Sequence, residues 1–283
     1  MIVAVRQNRI GQTLQIVAAH AILLLYTFIA LFPIYLVVIN SFKDRKFIFK
    51  TPYALPNAEN FNPVGYQTVF ARAQFPNYFL NSFIVTSISL LLIFVAGTMA
   101  AHALSEYKFR GNNFLGLYLA LGIMIPIRLG TIGILNVIKS LGLIDTLAGL
   151  ILVYTAMGLP LAVFVLTQFM GQIPRDLKDA ARVDGASEYR IYWMILPLIR
   201  PALGTVMVFN MIPIWNDLWF PLILASSERN KTVTLGAQSF LGQYVNDWNA
   251  VLASLSLAAI PVIILYILFS RQLIRGLTSG AVK

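Results

Sequence analysis

Five stretches of this chain, residues 10–42, 73–105, 111–127, 146–174 and 248–270, contain no Asp, Glu, Lys or Arg, and a sixth, 201–225, contains only Asp217. A helix rising 1.5 Å per residue needs about 20 apolar residues to cross the hydrocarbon core of a bilayer. Lipid offers the backbone no hydrogen-bond partner, so each crossing segment must satisfy its own N–H and C=O groups as a helix. These runs therefore predict an all-α, polytopic membrane protein with six transmembrane helices. Composition agrees: 58% of the 283 residues are hydrophobic and 11% are charged, against about 25% charged in a soluble domain. The first run is too long for the apolar core of a signal peptide and ends in bulky residues (Tyr35, Leu36, Val37) rather than a small-residue site. The third is the shortest, at the lower limit for a span. It is expected to continue past Arg128 as irregular structure, for which Gly130, Gly133 and Gly142 are suited.

The runs divide the chain into an N-terminal segment with the first span and its outer connection (1–77), a core of five spans (78–270) and a C-terminal tail (271–283). In the polar connection 43–77, Tyr53, Phe61, Tyr66 and Phe70 are placed to hold it against the membrane face. With the N-terminus inside, the inner segments carry twelve Lys and Arg and the longer outer ones nine. That bias favours both termini in the cytoplasm. The net charge of +10 fits lipid headgroups and topology, not nucleic acid. Without cysteine, a disulfide framework, a thiol nucleophile and a cysteine-held metal are excluded. No Gly-Lys dipeptide occurs, so a phosphate-binding P-loop is excluded and any ATP hydrolysis belongs to another chain.

The one long segment dense in charge is 174–201, PRDLKDAARVDGASEYRIYWMILPLIRP. Asp176 complements the positive start of a helix, Gly185 can take the left-handed conformation that ends it, and Ser187 can cap a second helix. Pro197 then stops or kinks that second helix. Two short helices joined at Asp184-Gly185-Ala186 are expected, with little side-chain bulk at Ala180, Ala181, Gly185 and Ala186. A partner backbone could approach closely there.

Asp179-Ala180-Ala181, then Gly185, then Ile195-Leu196-Pro197 resemble the EAA loop of the integral membrane subunits of ABC importers. Asp179 stands for that family's Glu, and the last element lacks one spacer residue. A second stretch, Trp215-Asn216-Asp217, followed by Trp219 and Pro221-Leu222-Ile223, resembles the fifth-span signature of carbohydrate-type importer permeases. Tyr53-Ala54-Leu55-Pro56 and the tail from Arg271 to Lys283 also fit. The resemblance implies a type I importer permease fold in a bacterial or archaeal inner membrane, with no catalytic site, metal or cofactor of its own. It implies a second, similar permease as heterodimer partner, two ATPase subunits holding ATP and Mg, and an external solute-binding protein delivering a sugar or polyol. Asp179, Ala180, Ala181, Asp184, Gly185, Ala186 and Glu188 are the residues that would couple the loop to the ATPase.

Asp217 is the sole acid in the six runs, and ionisable groups in hydrocarbon are candidates for function. With Asn210, Trp215, Asn216 and Trp219 it offers acceptors beside indole faces, as a polyhydroxyl ligand requires. The alternative is an Asp that caps a broken helix or pairs within the bundle. His20, His102, Asn81, Ser82 and Asn136 read as bundle or backbone-satisfying residues. A second function is an ion-coupled secondary transporter with Asp217 as the ion or proton site, which would be expected to carry internal repeats. An intramembrane enzyme is disfavoured, because two His and one membrane Asp are too sparse for a metal site or triad.

Overall fold

The structure, a computed structural model, describes residues 9–72, 74–242 and 246–279. Residues 1–8 and the end of the tail motif, 280–283, lie outside the described residues. Among those described the chain is helical, with two isolated bridges, Lys43 to Phe61 and Leu241 to Asn246. It forms two compact units, one of residues 1–69 and 240–257, the other of 70–239 and 258–283.

In the first unit, α1 (Arg9–Ser41) is apolar on every side and almost wholly exposed, the pattern of a helix that meets lipid or another chain. The connection after it is a folded cap. It contains α2 (Arg45–Lys50) and the start of α3 (Val64–Arg72). Phe42 stacks on Phe61 and Tyr66, and the Tyr66 hydroxyl lies 2.8 Å from that of Ser41. Phe61 and Tyr66 thus also pack within the connection itself, and Phe61 remains exposed. Lys43 is fully buried, its ammonium donating to Asn40 Oδ1 at 3.1 Å and Thr51 O at 2.8 Å. Burial lowers its pKa, as desolvation of a cation must.

In the second unit, α4 (Phe75–Glu106) packs along α7 (Leu147–Gly171). Small residues let the two backbones approach, as in membrane helix pairs generally: a Cβ on Gly97 would lie 3.1 Å from that of Ala162. Val85, Ile93, Leu150, Leu166 and Met170 are buried between them. The third run is two helices, α5 (Asn112–Met124) and α6 (Thr131–Ser140), with a 3-10 turn at Ile127–Gly130 and a bend of 93°. Pro126 explains the break. It has no N–H to continue α5, and it drives Ile125 into extended backbone, ψ 120°. The continuation past Arg128 is therefore regular helix, where irregular structure was expected.

The charged loop forms α8 (Arg175–Val183) and α9 (Glu188–Ile195). Pro197 does not stop the second helix. The chain tightens into a 3-10 turn, Leu196–Ile199, and runs on into α10 (Arg200–Asn216). The fifth span ends earlier than 225: it breaks at Asp217 and Leu218 before the short α11 (Trp219–Leu224). The short α12 (Val233–Gln238) precedes α13 (Trp248–Ser279). Among the described residues four helices are long and apolar enough to cross a membrane, and the bent pair, counted as one span, makes five. The apolar part of α13, Trp248–Ile264, is shorter, and six spans are compatible with this set.

Candidate functional site

The loop between α7 and α10 has the geometry its residues predict. Gly185 adopts φ +78° just after α8, a conformation that costs a side-chain-bearing residue about 1–2 kcal/mol. Its N–H donates to Arg182 O at 3.0 Å, and that of Ala186 to Ala181 O at 2.9 Å, closing the helix end. The Ser187 hydroxyl then caps α9 by accepting from Arg190 N–H. Ala181 and Ala186 pack on the core. Ala180, Asp184 and Gly185 are exposed, and nothing lies within 4 Å of where a Gly185 Cβ would stand. Leu177, Val183 and Tyr189 are exposed apolar neighbours, Val183 at 87%.

The inner side of the loop carries a cluster of charge. Glu106, the last residue of α4, accepts from Lys178 Nζ at 2.6 Å and from Arg182 Nη2 at 2.5 Å. Arg182 also reaches Asp179 at 2.8 Å and Glu188 at 2.9 Å. Tyr107 donates its hydroxyl to Glu188 Oε2 at 2.9 Å. The carboxylates of Glu188, Glu106 and Asp179 push the Arg182 pKa further up. Burial and then the Glu188 carboxylate raise that of the Tyr107 phenol. Asp179 and Glu188, expected to face a partner, thus also share one guanidinium. The residues that sequence reasoning missed are Glu106 and Tyr107. Glu106 is the sole acid of the short charged turn 106–113, the one signal that could have marked it.

The expected substrate-path residues separate. Asn216, Asp217 and Trp219 line a cavity of about 660 Å³ at the break between α10 and α11, together with Arg128, Tyr154 and Met157. The Arg128 guanidinium lies 5.8 Å from the Trp219 ring centre, and Trp219 Nε1–H donates to Thr131 Oγ1 at 3.0 Å. The Asp217 carboxylate accepts from Phe220 N–H at 3.0 Å, Trp219 N–H at 3.3 Å and Tyr154 O–H at 2.9 Å. That is the capping arrangement, since it satisfies the first free N–H groups of α11. Trp215 is buried, donates to Ala258 O at 3.0 Å and lines a separate apolar groove with Phe79 and Met211. Asn210 is buried beside Gly158 and donates to Val206 O at 2.9 Å.

Asn81 donates to Arg229 O and Lys231 O, and Ser82 accepts from Val233 N–H, so both satisfy backbone. His20 Nδ1 lies 2.7 Å from Ile16 O within its own helix. His102 is buried with its ring edge-on to Tyr107 and Tyr192.

In the second unit long apolar helices pack together, with one charged helix–turn–helix joined to their core, and the family match assigns this arrangement to the ABC-importer permease class. Residues 93–279 match the family described as binding-protein-dependent transport system inner membrane component, and the chain belongs to that family. It is a multi-pass permease subunit of the inner membrane. The ORF2 protein of Caldicellulosiruptor sp. (strain Rt8B.4) is 36% identical over 263 residues, covering 92% of this chain and 94% of that one. The diacetylchitobiose uptake system permease protein NgcG of Streptomyces coelicolor is 30% identical over 268 residues, 94% of this chain and 88% of its own. Among solved structures, a bacterial ABC transporter involved in the import of the acidic polysaccharide alginate superposes with a TM-score of 0.76, at 22% identity over 96% of this chain and 99% of that one. That likeness establishes the fold.

Proposed function

We propose that this chain forms half of the translocation path of an ATP-driven carbohydrate importer. It pairs with a second, similar permease and takes its substrate from an external solute-binding protein. Two ATPase subunits bind ATP and Mg, while this chain holds no cofactor and catalyses no reaction. Both termini and the loop 174–200 lie in the cytoplasm.

The observation that carries the proposal is the two-sided loop. Its outer side offers Leu177, Ala180, Val183 and the open turn at Gly185, a small apolar patch that a groove on an ATPase can cover. Its inner side is fastened to α4. Asp179, Ala180, Ala181, Asp184, Gly185, Ala186 and Glu188 make up the coupling element. ATP binding drives transport only if the loop's contacts differ between the states of the ATPase pair.

The substrate class rests on the family and on relatives such as NgcG, whose name gives a disaccharide. The cavity beside Asp217 supports it with the partly exposed Trp219 ring, over which the Arg128 guanidinium lies, and with Asn216 in its wall. In this reading Asp217 shapes the cavity, while Asn210 and Trp215 lie outside its lining. The test is co-purification with the ATPase, second permease and binding protein encoded beside it, then ATP hydrolysis across a panel of sugars and polyols. Stimulation by carbohydrate-loaded binding protein is the expected result. A complex that forms without any carbohydrate response would overturn the substrate class, and no complex would overturn the coupling role.

A further inference from the structure

We infer that Glu106 is a positioning residue, the joint through which movement of the coupling loop is passed to the transmembrane core. The inference rests on the docking role proposed above for α8 and α9.

Glu106 ends the longest helix of the second unit, and its side chain is only 10% exposed. Its two oxygens are divided between two cations one turn apart on α8, Lys178 and Arg182. Lys178 is itself 3% exposed, and Glu106 is the one acid within ion-pair distance of it among the described residues. A buried ion pair is not the cheapest way to hold two helices together, because apolar side chains of similar volume commonly do as well. Its distinctive property is direction. Two charge-assisted hydrogen bonds onto one carboxylate fix the position of α8 along α4 and its rotation as well.

The joint also branches. Arg182 bonds carboxylates on α4, α8 and α9, and Tyr107 adds a second strut from the end of α4 to the first residue of α9. A displacement applied to the exposed side of α8 cannot be absorbed in the turn without breaking these bonds. It therefore reaches α4, and through α4 the packing of Ile93 against Gly158, where Asn210 of α10 also lies. The parts of the loop that a partner can touch and the part that carries the load are thus different residues.

The experiment uses the complete transporter in proteoliposomes, with binding protein and substrate, and measures uptake and ATP hydrolysis in the same vesicles. Glu106→Gln is expected to keep the ATPase bound but to lower uptake per ATP hydrolysed by about tenfold, the size of a modest coupling free energy. Glu106→Asp, which keeps the charge, should recover most of it. A ratio unchanged in Glu106→Gln would overturn the inference. If Glu106→Gln does not assemble, the double variant Glu106→Gln with Lys178→Met decides, because it removes the buried charges together. It should assemble and hydrolyse ATP with low uptake. Normal uptake, or failure of this variant also to assemble, would mean that the cluster only holds the fold. Absence of the ATPase from the unmodified complex would instead refute the docking role itself.

Discussion

The phenol of Tyr154, buried in the second turn of α7, donates to the carboxylate of Asp217 at 2.9 Å across 63 residues of sequence. The same carboxylate caps α11 through the N–H groups of Trp219 and Phe220. The break between α10 and α11 is therefore pinned to the core helix of the second unit. Tyr154→Phe removes one hydrogen bond to a carboxylate and should destabilise the purified protein by about 1.5–3 kcal/mol, read as a lower thermal midpoint in detergent.

Asp217 itself separates two roles. Asp217→Asn keeps an acceptor oxygen for the cap, so uptake normalised to assembled complex should stay within about threefold of the unmodified protein for each sugar, less than one charged hydrogen bond's worth. Asp217→Leu leaves the N–H groups of Trp219 and Phe220 and the Tyr154 hydroxyl without their acceptor, and should reduce the amount of complex in the membrane. A sugar-selective loss in the Asn variant would assign Asp217 to the substrate instead.

Gly185 tests the turn. At φ +78°, Gly185→Val should cost more than the ordinary left-handed penalty of about 1–2 kcal/mol, because branching at Cβ restricts the backbone further. Loss of ATPase co-purification with the permease still inserted is the expected outcome. Gly185→Asn tolerates the left-handed region and has open space around it, so it should retain at least part of the interaction. Equal binding by both variants would show that the turn conformation does not matter for docking.

What could be read from the sequence was local. Gly185, Ser187 and the charge pattern of 174–201 act within a few residues of themselves, so the helix–turn–helix was legible before any tertiary contact was known. The apolar runs were legible for the same reason. Pairings across long separations were not. Glu106 meets Lys178 and Arg182 across 72 and 76 residues, and nothing near Glu106 specifies those partners. In the connection after α1, the stacking of Phe42 on Phe61 and Tyr66 was likewise specified by nothing near Phe42 in the sequence. At the third span Pro126 was visible, but a proline marks a break without specifying whether helix or irregular backbone lies beyond it.

Asp145 gives a pH dependence. It sits at φ 57° between α6 and α7, and its carboxylate accepts from Ser227 N–H at 3.1 Å, while Asn230 donates to its carbonyl at 2.6 Å. Hydrogen bonding from Ser227 holds its pKa below the usual carboxylate value despite partial burial. A depressed folded pKa stabilises above the unfolded value, about 3.9, and the contribution is lost as pH falls through the folded value. The tie between segments 142–146 and 225–230 should therefore loosen below about pH 4. Proteolysis of the 226–231 segment should rise over that range in the unmodified protein. Asp145→Asn, which has no charge to lose, should show a flatter profile.

Orientation and docking can be read together at Val183, which is 87% exposed and belongs to a chain without cysteine. Val183→Cys therefore introduces a single thiol at the exposed end of α8, one residue before the turn. An impermeant maleimide should label it in inside-out vesicles and not from the outer face of intact cells. With the ATPase assembled, labelling should be suppressed, because a groove that covers α8 excludes the reagent from the same surface. Labelling from outside would reverse the orientation of the whole bundle. Equal labelling with and without the ATPase would remove this side of α8 from the interface, leaving Gly185 and α9 as the surface to test.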